Sequence, residues 1–231
     1  MLTDPAEDYA RGWVPFLDTK IYLDSHPLIP RTETEYWVEI AIQEIKKKQE
    51  HTSIYQNTGK DVAVKVLDLF AGSGAVGVAV LKHVPDSWVD FGEIDTAHFP
   101  TIRKNILENG IDAGRTALME TDVWSEIVGT YDVILANPPY ISKEEKNNVA
   151  MSVLLHEPST ALFAEDNGFA YIEATILGLR THLKKGGFLY IEHDPAQTKA
   201  IELLGKKCGC TAESRRDQYA KYRFSRLSAM A

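Results

Sequence analysis

A chain of 231 residues is long enough for one α/β domain with a sizeable buried core. Its 44% hydrophobic and 25% charged fractions are those of an ordinary globular protein, and a net charge of −8 does not draw polyphosphate chains to the surface as a whole. The acidic opening MLTDPAEDYA reads as neither a signal peptide nor an Arg-rich transit peptide, and no stretch approaches the roughly 18 apolar residues of a membrane span.

The stretch WVPFLDTKIYL, residues 13 to 23, predicts two short strands around a turn at Asp18-Thr19. HPLIPR then leads into a helix. Thr32 and Glu35 have capping-box spacing, and Tyr36, Trp37, Ile40, Ala41 and Ile45 supply an apolar face. Lys46-Lys47-Lys48 closes that helix, where the dipole favours cations. From Val62 the pattern alternates: the buried strand VAVKVLDLF, a Gly-rich turn, and a helix through about Val84. SWVDFGEI predicts a second strand, Ala97 to Glu108 a helix, TALME a third strand and YDVILA a fourth. After an irregular stretch come a helix from about Gly168 to Leu183, the strand GGFLYIEH and the helix AQTKAIELLGKK. Two strand-like runs, near Cys210–Ser214 and Tyr222–Leu227, are joined by RRDQYAK. The expected fold is α/β: a mostly parallel seven-stranded sheet with right-handed crossovers and one antiparallel edge strand. Residues 1–60 form a hairpin and helix packed ahead of it, and residues 61–231 form the main domain.

Cys208 and Cys210 flank a single glycine, too close for an easy disulfide and too few for a zinc site, so no metal is expected. Two reduced thiols suit a reducing intracellular compartment, the cytoplasm or the mitochondrion.

The first strand runs into Asp68-Leu69-Phe70-Ala71-Gly72-Ser73-Gly74. Glycines there let the backbone approach a ligand at the carboxyl end of the strand. Gly72, Gly74 and Gly77 fit G-x-G-x-x-G, but a carboxylate at Asp68 would repel a pyrophosphate. It can instead hold the amino group of a zwitterionic amino acid, such as the methionine end of S-adenosylmethionine. The second strand ends in Glu93-Ile94-Asp95. Of the two carboxylates Asp95, which opens the next loop, is the preferred acceptor for both ribose hydroxyls, with a helix N-cap as its alternative role. After the third strand, Asp122 can accept from the adenine amino group, with Val123 or Trp124 against the ring; the alternative is a helix cap beside a buried Trp.

The fourth strand runs into Asn137-Pro138-Pro139-Tyr140. Two prolines fix φ, hold Asn137 and Pro138 extended and remove two N–H donors. What remains is a rigid rim of carbonyl acceptors, the Asn137 amide and the Tyr140 ring. An amide nitrogen is a poor nucleophile because its lone pair is delocalised. If its N–H groups bond to the Asn137 side-chain oxygen and the Pro138 carbonyl, the lone pair can be aimed at a sulfonium methyl and the developing charge stabilised.

Taken together these segments resemble the HemK/PrmC family, the protein-(glutamine-N5) methyltransferases of peptide release factors. The resemblance runs from about Gly12 to Leu227 and rests on PLIPRTETEYWVE at 27 to 39, DLFAGSG at 68 to 74, Asp95, TDVW, NPPYIS at 137 to 142 and HEPSTALFAEDNG at 156 to 168. DLFAGSG is general to adenosylmethionine enzymes and NPPY is shared with adenine-N6 methyltransferases; LIPR-x-ETE is the discriminating segment. The resemblance implies a Rossmann-like class I methyltransferase using S-adenosyl-L-methionine. It implies transfer to the glutamine of a Gly-Gly-Gln loop in a class I release factor, held at Asn137 and Pro138. Phe70, Ala71, Gly72, Gly74, Asp95, Asp122 and Val123 match positions lining the cofactor site, with Asp68 and Ser73 in the same turn and Asn137 bordering it as well as the acceptor. Arg31, Glu33 and Glu157 match motif positions on the substrate side. Members usually carry an N-terminal helical bundle that helps dock the release factor; this chain starts about where the catalytic domain begins. The expected partner is a release factor, with no membrane and no direct nucleic-acid contact, and the chain is expected to be a monomer. Two other readings stay open: an adenine-N6 methyltransferase acting on an extruded base through the same loop, and a non-catalytic adenosylmethionine-binding module.

Overall fold

A computed structural model describes residues 4–56 and 63–229. The expected boundary at residues 60 and 61, and the expected strand start at Val62, lie outside the described residues.

The chain opens with a short helix that the sequence pattern does not single out, α1 (Pro5–Arg11), capped by the Asp4 side chain at the Ala6 amide and ended by Gly12 at φ 79°. β1 (Trp13–Phe16) and β2 (Thr19–Tyr22) pair antiparallel with Phe16 opposite Thr19. The two-residue turn is therefore Leu17-Asp18, both at positive φ (41° and 58°), one residue earlier than the sequence suggests. α2 (Thr32–Gln56) runs well past Lys46-Lys47-Lys48, which sit inside it rather than at its end. The capping box is not made. Thr32 is already helical and its hydroxyl donates to Glu33, while Glu35 Oε1 accepts from the Leu17 amide and ties the helix to the hairpin.

The main sheet is built from β3 (Val64–Leu69), β4 (Ser87–Glu93), β5 (Thr116–Glu120), β6 (Tyr131–Ala136), β9 (Leu183–Glu192), β10 (Cys210–Arg216) and β11 (Tyr222–Ala229). The order is β10-β11-β9-β6-β3-β4-β5. β11 alone runs against the rest, pairing antiparallel with both β9 and β10. The mostly parallel seven-stranded sheet is thus as expected, but its antiparallel strand lies one place in from the edge. The edge strand is β10; the last strand inserts beside β9, where both of its ladders are satisfied. The crossover helices are α3 (Ala75–His83), α4 (Phe99–Glu108), α6 (Ala170–His182) and α7 (Thr198–Lys207). Between β6 and α6 the chain forms a two-residue ladder, β7 (Ile141–Ser142) with β8 (Phe163–Ala164), around the short helix α5 (Met151–His156).

Strand alternation feeds two cores. Val66, Val133, Leu135, Phe188 and Tyr190 pack on the face covered by α2 and α3, where Trp37, Val38, Ala41 and Ile45 are fully buried. Leu67, Leu69, Ile134, Leu189 and Ile191 pack on the opposite face with Ile172, Ile176 and Ile201 of α6 and α7. Because β3, β4, β5, β6 and β9 are parallel, their carboxyl ends share one edge. β3 has β4 on one side and β6 on the other, which makes the gap above it the switch point where α/β sheets hold ligands.

Candidate active site

The Gly-rich turn sits at that edge. Phe70, Gly72 and Gly74 take positive φ (65°, 53° and 76°), a conformation that glycine adopts without strain. Gly77 has a packing role: a Cβ there would lie 2.3 Å from the Phe91 ring, so α3 approaches β4 closely. Asp68 does not open onto the cleft. It is buried, and its Oδ2 accepts from the Gly77 amide at 2.8 Å, pinning the first turn of α3 from beneath. The amino-group contact expected of Asp68 is therefore not what its position offers. Burial, with Glu93 adding to it, pushes its carboxyl from an ordinary 3.8 to about 8. The folded value lies above the unfolded one, so the contribution of Asp68 to stability is full below about 3.8 and is lost as pH rises towards about 8. Asp68→Asn keeps an oxygen for Gly77 and cannot ionise. It is expected to flatten the decline of melting temperature across that window; an unchanged pH profile would exclude Asp68 as its source.

At the end of β4 the structure chooses Glu93. Its Oε2 accepts from the Gly72 amide at 2.7 Å and its Oε1 from the Asp95 amide at 2.9 Å. Asp95 caps the next turn through the Ala97 amide, with its side chain 59% exposed. The carboxylate joined to the Gly-rich turn is thus Glu93, and Asp95 takes the N-cap role that the sequence left as its alternative. Ile94 is 58% exposed and shares a cleft of about 640 Å³ with Met119, Thr121 and Asp122. Val123 is buried at φ 52°. Trp124 donates to the Ala174 carbonyl and stacks on His182 at 4.6 Å, so it packs towards α6 and the open apolar face is Ile94. The row of Phe70–Gly74, Glu93, Ile94 and Asp122 fits a ligand with an amino-acid end, a diol and a flat ring. Glu93→Ala is expected to weaken adenosylmethionine binding by on the order of 1–3 kcal/mol, since it also strands the Gly72 amide. Asp95→Ala should cost mainly about 1 kcal/mol of local helix stability. Calorimetry ranking the two the other way would restore Asp95 to the ligand.

Asn137-Pro138-Pro139-Tyr140 leaves β6 beside this turn, with both prolines buried. Three elements hold the segment. The Tyr140 carbonyl accepts from Gln197 Nε2 at 2.9 Å. Gly168, at φ 82°, packs so tightly beneath it that a Cβ there would lie 2.2 Å from that carbonyl oxygen. The Tyr140 hydroxyl donates to Glu192 Oε1 at 3.0 Å. Glu192, 2% exposed at the end of β9, accepts at Oε2 from the Thr34 hydroxyl (2.7 Å) and Trp37 Nε1 (2.8 Å). Burial raises its carboxyl, against these three donors and the nearby Arg223. Burial also raises the Tyr140 phenol, with the Glu192 carboxylate adding to the effect, so it stays a hydrogen-bond donor at neutral pH. Asn137 Nδ2 donates to Thr34 Oγ1 at 3.4 Å. A pocket of about 690 Å³ opens here, lined by Asn137, Pro138, Tyr140, Glu192, Arg223 and Arg31 among others.

Of the three substrate-side residues, two come together. Arg31 pairs with Glu157 at 2.5 Å, closing one wall of the pocket. Burial raises the Glu157 carboxyl, opposed by Arg31. Glu33 does not join them; it accepts from Thr32 and lines a side groove with Glu35. Thr34, Glu192 and Arg223 are not singled out by the sequence, and Glu93 is set second there to Asp95. Glu192 was within reach, because it ends the strand GGFLYIEH at the same sheet edge where Asn137 leaves YDVILA.

Residues 52–185, more than half of the chain, match the family described as Methyltransferase small domain. The release factor glutamine methyltransferase of Streptococcus pneumoniae is 32% identical over 203 residues, which is 88% of this chain and 66% of that protein. The protein of the same description from Flavobacterium psychrophilum is 31% identical over 95% of this chain and 74% of its own length. Among solved structures, a T. thermophilus 16S rRNA N2 G1207 methyltransferase has a TM-score of 0.62 at 16% identity, covering 94% of this chain and 50% of that one, a likeness of fold. No helix among the described residues is long and apolar enough to cross a membrane. Relatives of one description over most of the chain, on a sheet whose strand ends carry both the Gly-rich turn and the Asn-Pro-Pro-Tyr rim, place the protein in the HemK/PrmC family of S-adenosylmethionine-dependent methyltransferases.

Proposed function

We propose that the methyl acceptor is the side-chain amide nitrogen of a glutamine, in the Gly-Gly-Gln loop of a class I peptide release factor. The observation that carries this reading is the polarity of the rim. Pro138 and Pro139 have no N–H, and the Asn137 NH₂ is turned towards Thr34, so the rim offers acceptors to a planar NH₂ group. An adenine amine has the same two donors. The names of the relatives favour the amide, as does a net charge of −8, which disfavours a phosphate chain.

Adenosylmethionine supplies a methyl group on a sulfonium. Glu93 would take the ribose hydroxyls, and Ile94 and Asp122 the adenine. Asn137 Oδ1 and the Pro138 carbonyl take the two N–H groups of the acceptor and hold its lone pair in line. As the nitrogen gains positive charge, both oxygens stabilise it, and one N–H proton then leaves to solvent. Arg31, held by Glu157, and Arg223 stand at the pocket wall, where they can meet carbonyls of the entering loop.

The reading is tested with methyl-labelled adenosylmethionine and two forms of folded release factor, one with Gly-Gly-Gln and one with Gly-Gly-Glu in the loop. Label is expected in the first only. Equal labelling of both would remove the glutamine amide as acceptor.

A further inference from the structure

We propose that Thr34 is a positioning residue: together with Glu192 it fixes which way the Asn137 side-chain amide faces, so that only Oδ1 is offered to the methyl acceptor. The inference rests on Asn137 being the acceptor of a substrate N–H, as argued above.

One chain of hydrogen bonds joins Trp37, Glu192, Thr34 and Asn137. Trp37 Nε1 can only donate, and it donates to Glu192 Oε2 at 2.8 Å. That oxygen is therefore an acceptor, and it accepts from the Thr34 hydroxyl as well, at 2.7 Å. A hydroxyl has one proton, and the Thr34 proton is used there. Towards Asn137, 3.4 Å away, Thr34 Oγ1 can then only accept. The half of the Asn137 amide facing Thr34 must be the NH₂, and the planar group turns its oxygen to the other side. A flipped amide would set its oxygen against the Thr34 lone pairs and its NH₂ against the NH₂ of the acceptor, losing both contacts at once. All three supporting side chains, Thr34, Trp37 and Glu192, are buried, so water does not compete for the relay. Thr34 and Trp37 come from α2 and Glu192 from β9. The element ahead of the main sheet thereby sets the polarity of the catalytic rim.

A double-mutant cycle separates positioning from mere packing. Thr34→Val keeps the shape and removes the hydroxyl; Thr34→Ser keeps the hydroxyl. Single-turnover methyl transfer is measured for both, in the wild-type and Asn137→Ala backgrounds, beside adenosylmethionine affinity by calorimetry. In the wild-type background Thr34→Val is expected to slow transfer on the order of 10- to 100-fold with cofactor affinity unchanged, the scale of loss from a misplaced reacting group. Thr34→Ser should stay within about 3-fold of wild type, and in the Asn137→Ala background Thr34→Val should add no further loss. An equal fold-loss in both backgrounds, or wild-type transfer by Thr34→Val, would overturn the proposal. If Thr34→Val does not bind cofactor, the same cycle run with Thr34→Ala against Thr34→Ser decides it, with the same outcomes. Wild-type transfer by Asn137→Ala alone would instead sink the acceptor reading beneath it, and that result is visible separately.

Discussion

Asn137→Ala is expected to lower the single-turnover rate of methyl transfer by about 10²- to 10³-fold, the loss seen when one preorganised electrostatic partner of roughly 2.7–4 kcal/mol is removed. Adenosylmethionine affinity should change little. The residues that would hold the cofactor stand at the ends of β3, β4 and β5, whereas Asn137 follows β6 and its side chain is joined to Thr34. Affinity for release factor should also change little, since a single side-chain contact is a small part of a protein interface. The effect should therefore fall on kcat and leave KM near its original value. A fall in cofactor affinity that accounts for the whole loss of rate would show that Asn137 belongs to cofactor binding, not to the acceptor rim.

The second large effect is expected at Gly168→Ala, far from Asn137 in sequence. At φ 82° an L-residue is strained by about 1–2 kcal/mol. The new Cβ would also lie 2.2 Å from the Tyr140 carbonyl oxygen and 2.8 Å from its carbon, both backbone atoms that cannot rotate away. Overpacking of this kind adds about 1–3 kcal/mol. At about 2–4 °C per kcal/mol for a chain of this size, the melting temperature should fall on the order of 10 °C. Relief comes only by shifting Tyr140 and its hydrogen bond to Gln197, so the rim moves and transfer slows in the surviving folded protein. Gly186→Ala is the matched control: φ is 73°, and nothing lies within 4 Å of its added Cβ. It should show the strain without the collision, and no loss of transfer rate. Equal melting temperatures and rates for the two variants would mean that the contact between Gly168 and Tyr140 does not support the rim.

Much of this arrangement was legible because the core strands are short apolar runs with sharp ends. TALME and YDVILA coincide with β5 and β6. The alternation of Val133 and Leu135 with Ile134 and Ala136 follows from a strand covered on both faces. What local pattern does not carry is pairing at a distance. The insertion of β11 between β9 and β10 is decided by which ladder partners it finds, and a hairpin-like pair at the end of a chain reads equally well as an edge. The choice between Glu93 and Asp95 is of the same kind. Two carboxylates separated by one residue look alike in the sequence. The register that sets Leu69 opposite Gly92 brings Glu93 level with the Gly-rich turn and leaves Asp95 beyond the end of the strand. α5, β7 and β8 are held by the pocket they enclose, and their few residues have no periodicity of their own. Thr34 lay in the discriminating segment LIPR-x-ETE, but its partners come from β9 and from the loop after β6.

The most direct test of the central claim is the position of the methyl group. The chain is incubated with methyl-labelled adenosylmethionine and an equimolar mixture of folded release factor and single-stranded nucleic acid, and the products are digested and mapped by mass spectrometry. The expected label is on a glutamine side-chain nitrogen in the Gly-Gly-Gln loop, appearing about 10²- to 10³-fold more slowly when Asn137→Ala replaces the wild type. Recovery of N6-methyladenine with no labelled protein would contradict it.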